Sequence, residues 1–281
     1  MWQVVVIWLI AVLCSAGAMA ESAPIRIGIT PAIVYDEYLL MMDLRHYLEK
    51  KIGRVVELVP RNSYRETIDL LKRDRLDFAW VSAYPYVYLH HNLQIRLLAA
   101  PVLHGRADIS AYLIVPAGDK ITTGLPQLKG KFFAYADPYS CTGYLVPRYE
   151  LRQAGQDVAT FFAKTFYTLG HKKLIQAVAS GLADGAYVDS FVWDSLAAME
   201  PVLIAQTRIA ARSKGCGPPP FVASRKVSER EFNALRGVLL EMAKDPEGFR
   251  LLKRLNMDGF TVGDPKAYAE VARIMRFMGE I

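Results

Sequence analysis

The chain has 281 residues, 52% of them apolar and 22% charged, with a net charge of +6. That balance excludes a disordered chain and leaves room for two globular lobes. Basic residues are scattered along helical stretches beside acids, as in Lys50-Lys51, Lys72-Arg73 and Lys253-Arg254, which is the pattern of solvated helix faces. No basic stripe with interleaved aromatics suggests nucleic acid.

Val4 to Leu13 is an apolar run, and Cys14 to Ala20 turns small. Ala18-Met19-Ala20 fits a signal-peptidase site, so residues 1–20 read as a cleavable signal peptide with export to the periplasm. The Met1-Trp2-Gln3 start is atypical, because it lacks a basic side chain. The run is shorter than the ~20 apolar residues of a membrane span. A lipoprotein signal would use Cys14, but Leu13 stands where such signals want a small residue. Cys141 and Cys216 remain after cleavage, and an exported chain permits them to pair.

Pro24 to Ile29 alternates as a first strand and ends at Thr30-Pro31. Tyr38 to Ile52 is an amphipathic helix closed by Gly53, followed by a strand from Val55 to Val59. Ser63 with Glu66 makes a capping box for the next helix. Leu76 to Val81 is a third strand, Tyr86 to His91 a short helix, and Leu97 to Leu103 and Ser110 to Val115 are further strands. This β-α-β-α-β series implies a mostly parallel α/β sheet, whose ligands bind beyond the carboxyl ends of the strands.

The alternation then restarts. Leu125 to Leu128 is a helical turn, Lys131 to Ala136 a strand, and Gly143 to Gln153 a helix. Asp157 to Lys164 reads as a helix, Phe166 to Leu169 as a strand, and Lys172 to Ser180 as a helix. Ala186 to Asp189 is a strand, Phe191 to Met199 a helix, and Val202 to Arg212 returns. Gly215 to Pro220 is a rigid loop into the strand Phe221 to Ser224, and two helices, Glu229 to Lys244 and Tyr268 to Met278, close the chain. The expected architecture is α/β: residues 21–115 and 213–281 form a discontinuous lobe, and residues 116–212 a continuous one. Crossings near Val115 and Ser213 would make the hinge of a clamshell.

The stretch Ala134 to Leu145 is a strand end, a tight turn at Asp137-Pro138 and a helix start with Ser140 and Thr142 at capping positions. A helix start leaves backbone N–H groups unpaired and carries partial positive charge, so hydroxyls there can make an anion site. The plainer alternative is that Ser140 only caps a helix.

Four passages resemble one family. Asp137-Pro138-Tyr139-Ser140-Cys141-Thr142-Gly143-Tyr144-Leu145-Val146-Pro147 is similar to the anion loop of the PhnD-type phosphate-, phosphite- and phosphonate-binding proteins, a subfamily of class II periplasmic solute-binding proteins. The others are Gly170-His171 with Ala177 to Asp184, Asp77 to Trp80 leading to Tyr84, and Pro219 to Arg225. The resemblance implies a two-lobed class II clamshell with mixed, mostly parallel sheets and a two-crossing hinge. It also implies a non-catalytic, monomeric receptor without cofactor or metal, closing on a small oxyanion for an ABC importer or a membrane sensor kinase. The chain departs from the pattern at Cys141, where a hydroxyl residue is usual, and around Arg106-Ala107-Asp108-Ile109.

On this reading Ser140 and Thr142 give hydroxyls, and the Cys141, Thr142 and Gly143 amides point at the anion. Gly143, without a Cβ, lets the ligand approach. His171 donates from its imidazole, and Asp189 accepts a proton from a protonated oxyanion. Ser82 and Tyr84 face the cleft from the other lobe, and Tyr35, after the first strand, is a further candidate. Capping explains His171 and Asp189 as well, and packing beside Tyr86 and Tyr88 explains Tyr84. Cys141 and Cys216 admit three states: a buried apolar thiol at Cys141, a disulfide, or paired thiols for a soft ligand such as arsenite. Ser140, His171 and Asp189 also supply the residue types of a hydrolytic triad, but no G-x-S-x-G elbow accompanies them.

Overall fold

A computed structural model of the chain describes residues 23–31, 38–103, 105 and 109–281. The expected signal peptide, Cys14, Tyr35 and the Arg106 to Asp108 neighbourhood lie outside the described residues.

The first run is β1 (Ile25–Ile29), α1 (Tyr38–Ile52), β2 (Val56–Pro60), α2 (Tyr64–Lys72), β3 (Phe78–Trp80), α3 (Ala83–Leu93) and β4 (Arg96–Val102). The second is β5 (Ile109–Pro116), β6 (Phe132–Tyr135), α4 (Val146–Gln153), β7 (Lys164–Tyr167), α5 (His171–Ala179), β8 (Gly185–Asp189), α6 (Ser190–Met199), α7 (Pro201–Ile204) and β9 (Thr207–Cys216). The chain ends with β10 (Phe221–Ala223), α8 (Glu229–Glu241), α9 (Pro246–Arg254), β11 (Gly259–Val262) and α10 (Ala269–Met278).

Among the described residues, the strands form a six-stranded sheet, β11-β4-β10-β3-β1-β2, and a five-stranded sheet, β7-β6-β8-β5-β9. Strand β1 runs parallel to β2 and β3, and β6 parallel to β7 and β8. The antiparallel members are β10 and β11 in the first sheet and β5 in the second. The result is a mixed, mostly parallel α/β architecture built on two sheets, as expected. Local chemistry accounts for its starts and stops: the Ser63 hydroxyl accepts the Glu66 N–H at the head of α2, and Gly53 takes a φ of 73° behind α1.

The boundaries differ from the expected ones. Strand β5 lies wholly in the second sheet, paired on both edges by β8 and β9. The crossings therefore fall between β4 and β5 and between β9 and β10, outside Val115 and Ser213. The reason is hydrogen bonding: β5 fills the gap between β8 and β9, a long-range pairing that periodicity does not carry. Residues 157–164 form no helix. The Asp157 carboxylate instead accepts the Ala159 N–H and the Thr160 hydroxyl, closing a single turn before β7. The stretch from Val202 splits into α7 and β9, with Cys216 ending the strand instead of lying in a loop. The tail holds α9 and β11 between the two expected helices, because Asp245 caps α9 and β11 finds an edge on β4.

Candidate functional site

Strand β6 ends at Tyr135, and Asp137 turns the chain. Asp137 is buried, and its two oxygens accept the N–H groups of Tyr139 (2.8 Å) and of Tyr64 (3.2 Å). One carboxyl thus holds the turn and the first residue of α2 together, although they belong to different lobes. Burial pushes its pKa above the usual carboxylate value, against the pull of those two N–H groups.

After the turn, Cys141–Leu145 forms a π-helical turn with Ser140 as its cap. Ser140 Oγ accepts the Gly143 N–H at 3.1 Å, and the Leu145 N–H reaches the Ser140 carbonyl at 3.0 Å. Such wide turns recur at functional sites, because they re-aim groups at a helix start. The N–H groups of Cys141 and Thr142 meet no acceptor among the described residues.

Helix α5 delivers His171 to the same place. Its imidazole is buried, with Nε2 at 3.3 Å from Ser140 Oγ, while Nδ1 accepts the Asp189 backbone N–H at 3.4 Å. That acceptor role assigns the proton to Nε2, which therefore donates. Desolvation pushes its pKa down to about 3, so the ring is neutral at physiological pH. A triad is not assembled: Nδ1 faces an amide and not the Asp189 carboxylate, and the protonated Nε2 is no base for Ser140.

Asp189 ends β8 and caps α6, accepting the Phe191 N–H at 2.9 Å and the Val192 N–H at 3.4 Å. Burial outweighs those two bonds, and nearby Asp194 adds repulsion, so its pKa is pushed up to about 7. Its capping and site-facing roles coexist, since one oxygen does the capping.

Ser140, Cys141, Thr142, His171, Asp189, Ser82 and Cys216 line one small cavity. Its volume is about 10 Å³, near what a single water needs, so a tetrahedral anion enters only if the walls move. Four expected members fall elsewhere or do other work. Tyr84 is turned away: its hydroxyl donates to Glu280 at 2.5 Å and its ring packs on Tyr88 and Tyr139. Burial and the Glu280 carboxylate together raise its pKa, so the phenol stays protonated. Gly143 is required by packing, because an added Cβ would lie 2.4 Å from the Ala136 methyl and 3.0 Å from His171 Cε1. Its amide is already committed to Ser140. Cys141 and Cys216 are joined in a disulfide, with Cα atoms 6.3 Å apart. Neither sulfur can act as a thiolate, so the soft-ligand reading for arsenite loses its chemistry. Because Cys216 ends β9 in the second sheet, the bond stays within one lobe and does not clamp the two together.

Sequence reasoning missed Tyr64. It is fully buried at the head of α2, and its hydroxyl lies beside the Ser140 hydroxyl and the Asp137 and Asp189 carboxylates without a hydrogen bond of ordinary geometry. Burial and the two carboxylates raise its pKa far above the usual value. The Ser63 capping box held a signal, since it fixes Tyr64 as the first helical residue beyond the carboxyl end of β2. Ser82 Oγ is the second buried hydroxyl here without a partner. Among the described residues, no group of three or more His, Cys, Asp or Glu side chains could hold a metal ion.

Residues 27–268 match the family model described as "ABC transporter, phosphonate, periplasmic substrate-binding protein". The phosphonates-binding periplasmic protein of Escherichia coli (strain K12) is 23% identical over 234 residues, covering 82% of this chain and 69% of its own. A binding-protein component of an ABC phosphonate transporter from Pseudomonas aeruginosa superposes with a TM-score of 0.82 at 21% identity, over 91% of this chain and 87% of that one. PhnD1 of Prochlorococcus marinus (MIT 9301), solved in complex with methylphosphonate, superposes with a TM-score of 0.79 at 20% identity, over 92% and 98%. Fold, loop chemistry and these likenesses agree, and the chain belongs to the periplasmic substrate-binding proteins of phosphonate ABC transporters.

Proposed function

We propose that this chain is exported by its residues 1–20, binds a phosphonate or related phosphoryl oxyanion between its lobes, and presents it to an ABC permease. One observation carries the reading: two buried hydroxyls without a hydrogen bond of ordinary geometry, Tyr64 Oη beside Ser140 and Ser82 Oγ in the small cavity, approach from the first lobe the Ser140–His171–Asp189 group of the second. Buried polar groups are rarely left unpaired, and each costs about 1–3 kcal/mol, so a hydroxyl pair of this kind suits an acceptor-rich ligand. The anion takes the His171 Nε2–H, the Cys141 and Thr142 amides and the hydroxyls of Ser140, Thr142, Tyr64 and Ser82. Asp189, with its pKa near neutrality, shares a proton with the anion. That proton favours a singly protonated phosphoryl group over sulfate, which has none to offer at neutral pH. Closure occurs about the β4–β5 and β9–β10 crossings.

Thermal-shift and calorimetric screening against phosphate, phosphite, methylphosphonate and sulfate tests this. At least one phosphoryl or phosphite anion stabilises the exported chain, and sulfate does so less. A panel without a stabiliser overturns the reading.

A further inference from the structure

Outside the small cavity lies a larger chamber of about 410 Å³, and His171 lines both. Its walls come from both lobes. Thr30, Arg61 and Asn62 stand beyond the carboxyl ends of β1 and β2, and Lys172, Lys173 and Gln176 stand on α5. None of its described lining residues is acidic. Two cations have partners outside the lining: Arg61 is 3.9 Å from Glu66, and Lys172 is 2.7 Å from Glu200. Lys173 forms no ion pair among the described residues. The described lining is therefore net positive, with amide groups between its charges.

Resting on the reading above, we propose that the substrate is a phosphonate or phosphate ester whose organic part carries a second acidic group, held in this chamber. A phosphoryl head on Ser140 and His171 projects its substituent past the His171 ring. A methyl group would leave nearly all of the 410 Å³ unfilled. An ammonium substituent would meet like charge and no acid among the described walls. A carboxylate or second phosphoryl group meets Lys173, Arg61 and Lys172, and like-charge exclusion then does as much for selectivity as attraction does. An anionic chamber-filling group also explains why cations from both lobes face one space: the ligand neutralises their repulsion as the lobes close.

The test is calorimetry at low salt with methylphosphonate, 2-aminoethylphosphonate, phosphonoacetate and 3-phosphonopropionate. A carboxylated ligand binds about tenfold or more tightly than methylphosphonate, and 2-aminoethylphosphonate binds more weakly. The preference for the carboxylated ligand shrinks towards unity in the Arg61→Met, Lys173→Met double variant. It also shrinks at high salt in the wild-type chain, a readout that needs no variant to fold. A preference for 2-aminoethylphosphonate, or a carboxylate preference indifferent to both salt and the double variant, overturns the proposal. Methylphosphonate binding without carboxylate preference overturns this inference alone. Silence from all four ligands overturns the reading of the site as well.

Discussion

Ser140 Oγ accepts one amide and faces one imidazole, and Tyr64 Oη waits beside it across the lobe boundary. Tyr64→Phe therefore separates fold from function. It removes a buried hydroxyl that has no partner, so unliganded stability holds or rises slightly, while affinity for the bound anion falls by about 1–3 kcal/mol. Chemical denaturation and calorimetry on the same preparation measure both, and unchanged affinity would remove Tyr64 from the site. Asp189 supplies a pH dependence. Its pKa rises from 3.8 to about 7 on folding, so its contribution to stability is complete below 3.8 and is lost as pH rises through 7. His171 runs the other way: its pKa falls from 6.5 to about 3, so its contribution is complete above 6.5 and lost as pH falls through 3. Because Asp189 is only partly buried by area, the effect is held to about 1–3 kcal/mol. Wild type should lose that much stability relative to Asp189→Asn, which keeps the cap, between about pH 4 and 8. Urea midpoints of the two chains across that range check it, and a constant gap would refute it. Ser140, His171 and Asp189 were legible in the sequence because each sits at an element boundary that local pattern locates. Tyr64 was not, because the groups its hydroxyl lies beside belong to another lobe.

The π-helical turn and β9 are joined covalently, and that bond changes what the loop can do. Cys141 lies between Ser140 and Thr142, and Cys216 pairs across the sheet with Ile109 at the root of β5. The disulfide therefore pins the Cys141–Leu145 turn to the strand from which the chain leaves the second lobe. It closes a separation of 75 residues, and such cross-links commonly stabilise by about 2–4 kcal/mol. The Cys141→Ser, Cys216→Ser double variant should lose roughly that much, and its anion affinity should fall further than the unfolded fraction explains. Thiol titration of the denatured chain, produced under oxidising conditions and held without reductant, should find Cys141 and Cys216 unreactive, and free thiols at both would refute the pairing. At this scale the helix caps were readable, since Ser63 and Glu66 are three residues apart. The membership of β5 was not, because either sheet offers a hydrophobic strand the same partners.

Across the whole molecule, α10 joins what the two crossings separate. Glu280, just beyond it, accepts from Tyr84 Oη in the first lobe and from Arg148 on α4 in the second, the latter at 2.7 Å. Arg273 on α10 donates to Tyr149 Oη, and Phe277 packs edge-on against the same ring. One buried apolar cluster also runs from Ala79 and Val222 to Leu113 and Phe133, so the two sheets share a core. This is a compact arrangement, and closure on a ligand should resemble it. Small-angle scattering should show a larger radius of gyration without ligand than with a proven one, and identical profiles would reject the hinge.

Most of the strands and helices, the turn after Asp137, and the boundary positions of Ser140, His171 and Asp189 follow from neighbours a few residues apart along the chain. Periodicity, caps and turn residues act at that range. The Cys141–Cys216 bond, the turning of Tyr84 to Glu280 and the arrival of Tyr64 beside Asp137 follow from contacts 73 to 196 residues apart. Those depend on which surfaces meet when the sheets pack. That outcome belongs to the summed burial and hydrogen bonding of the whole fold, which no local stretch of residues carries.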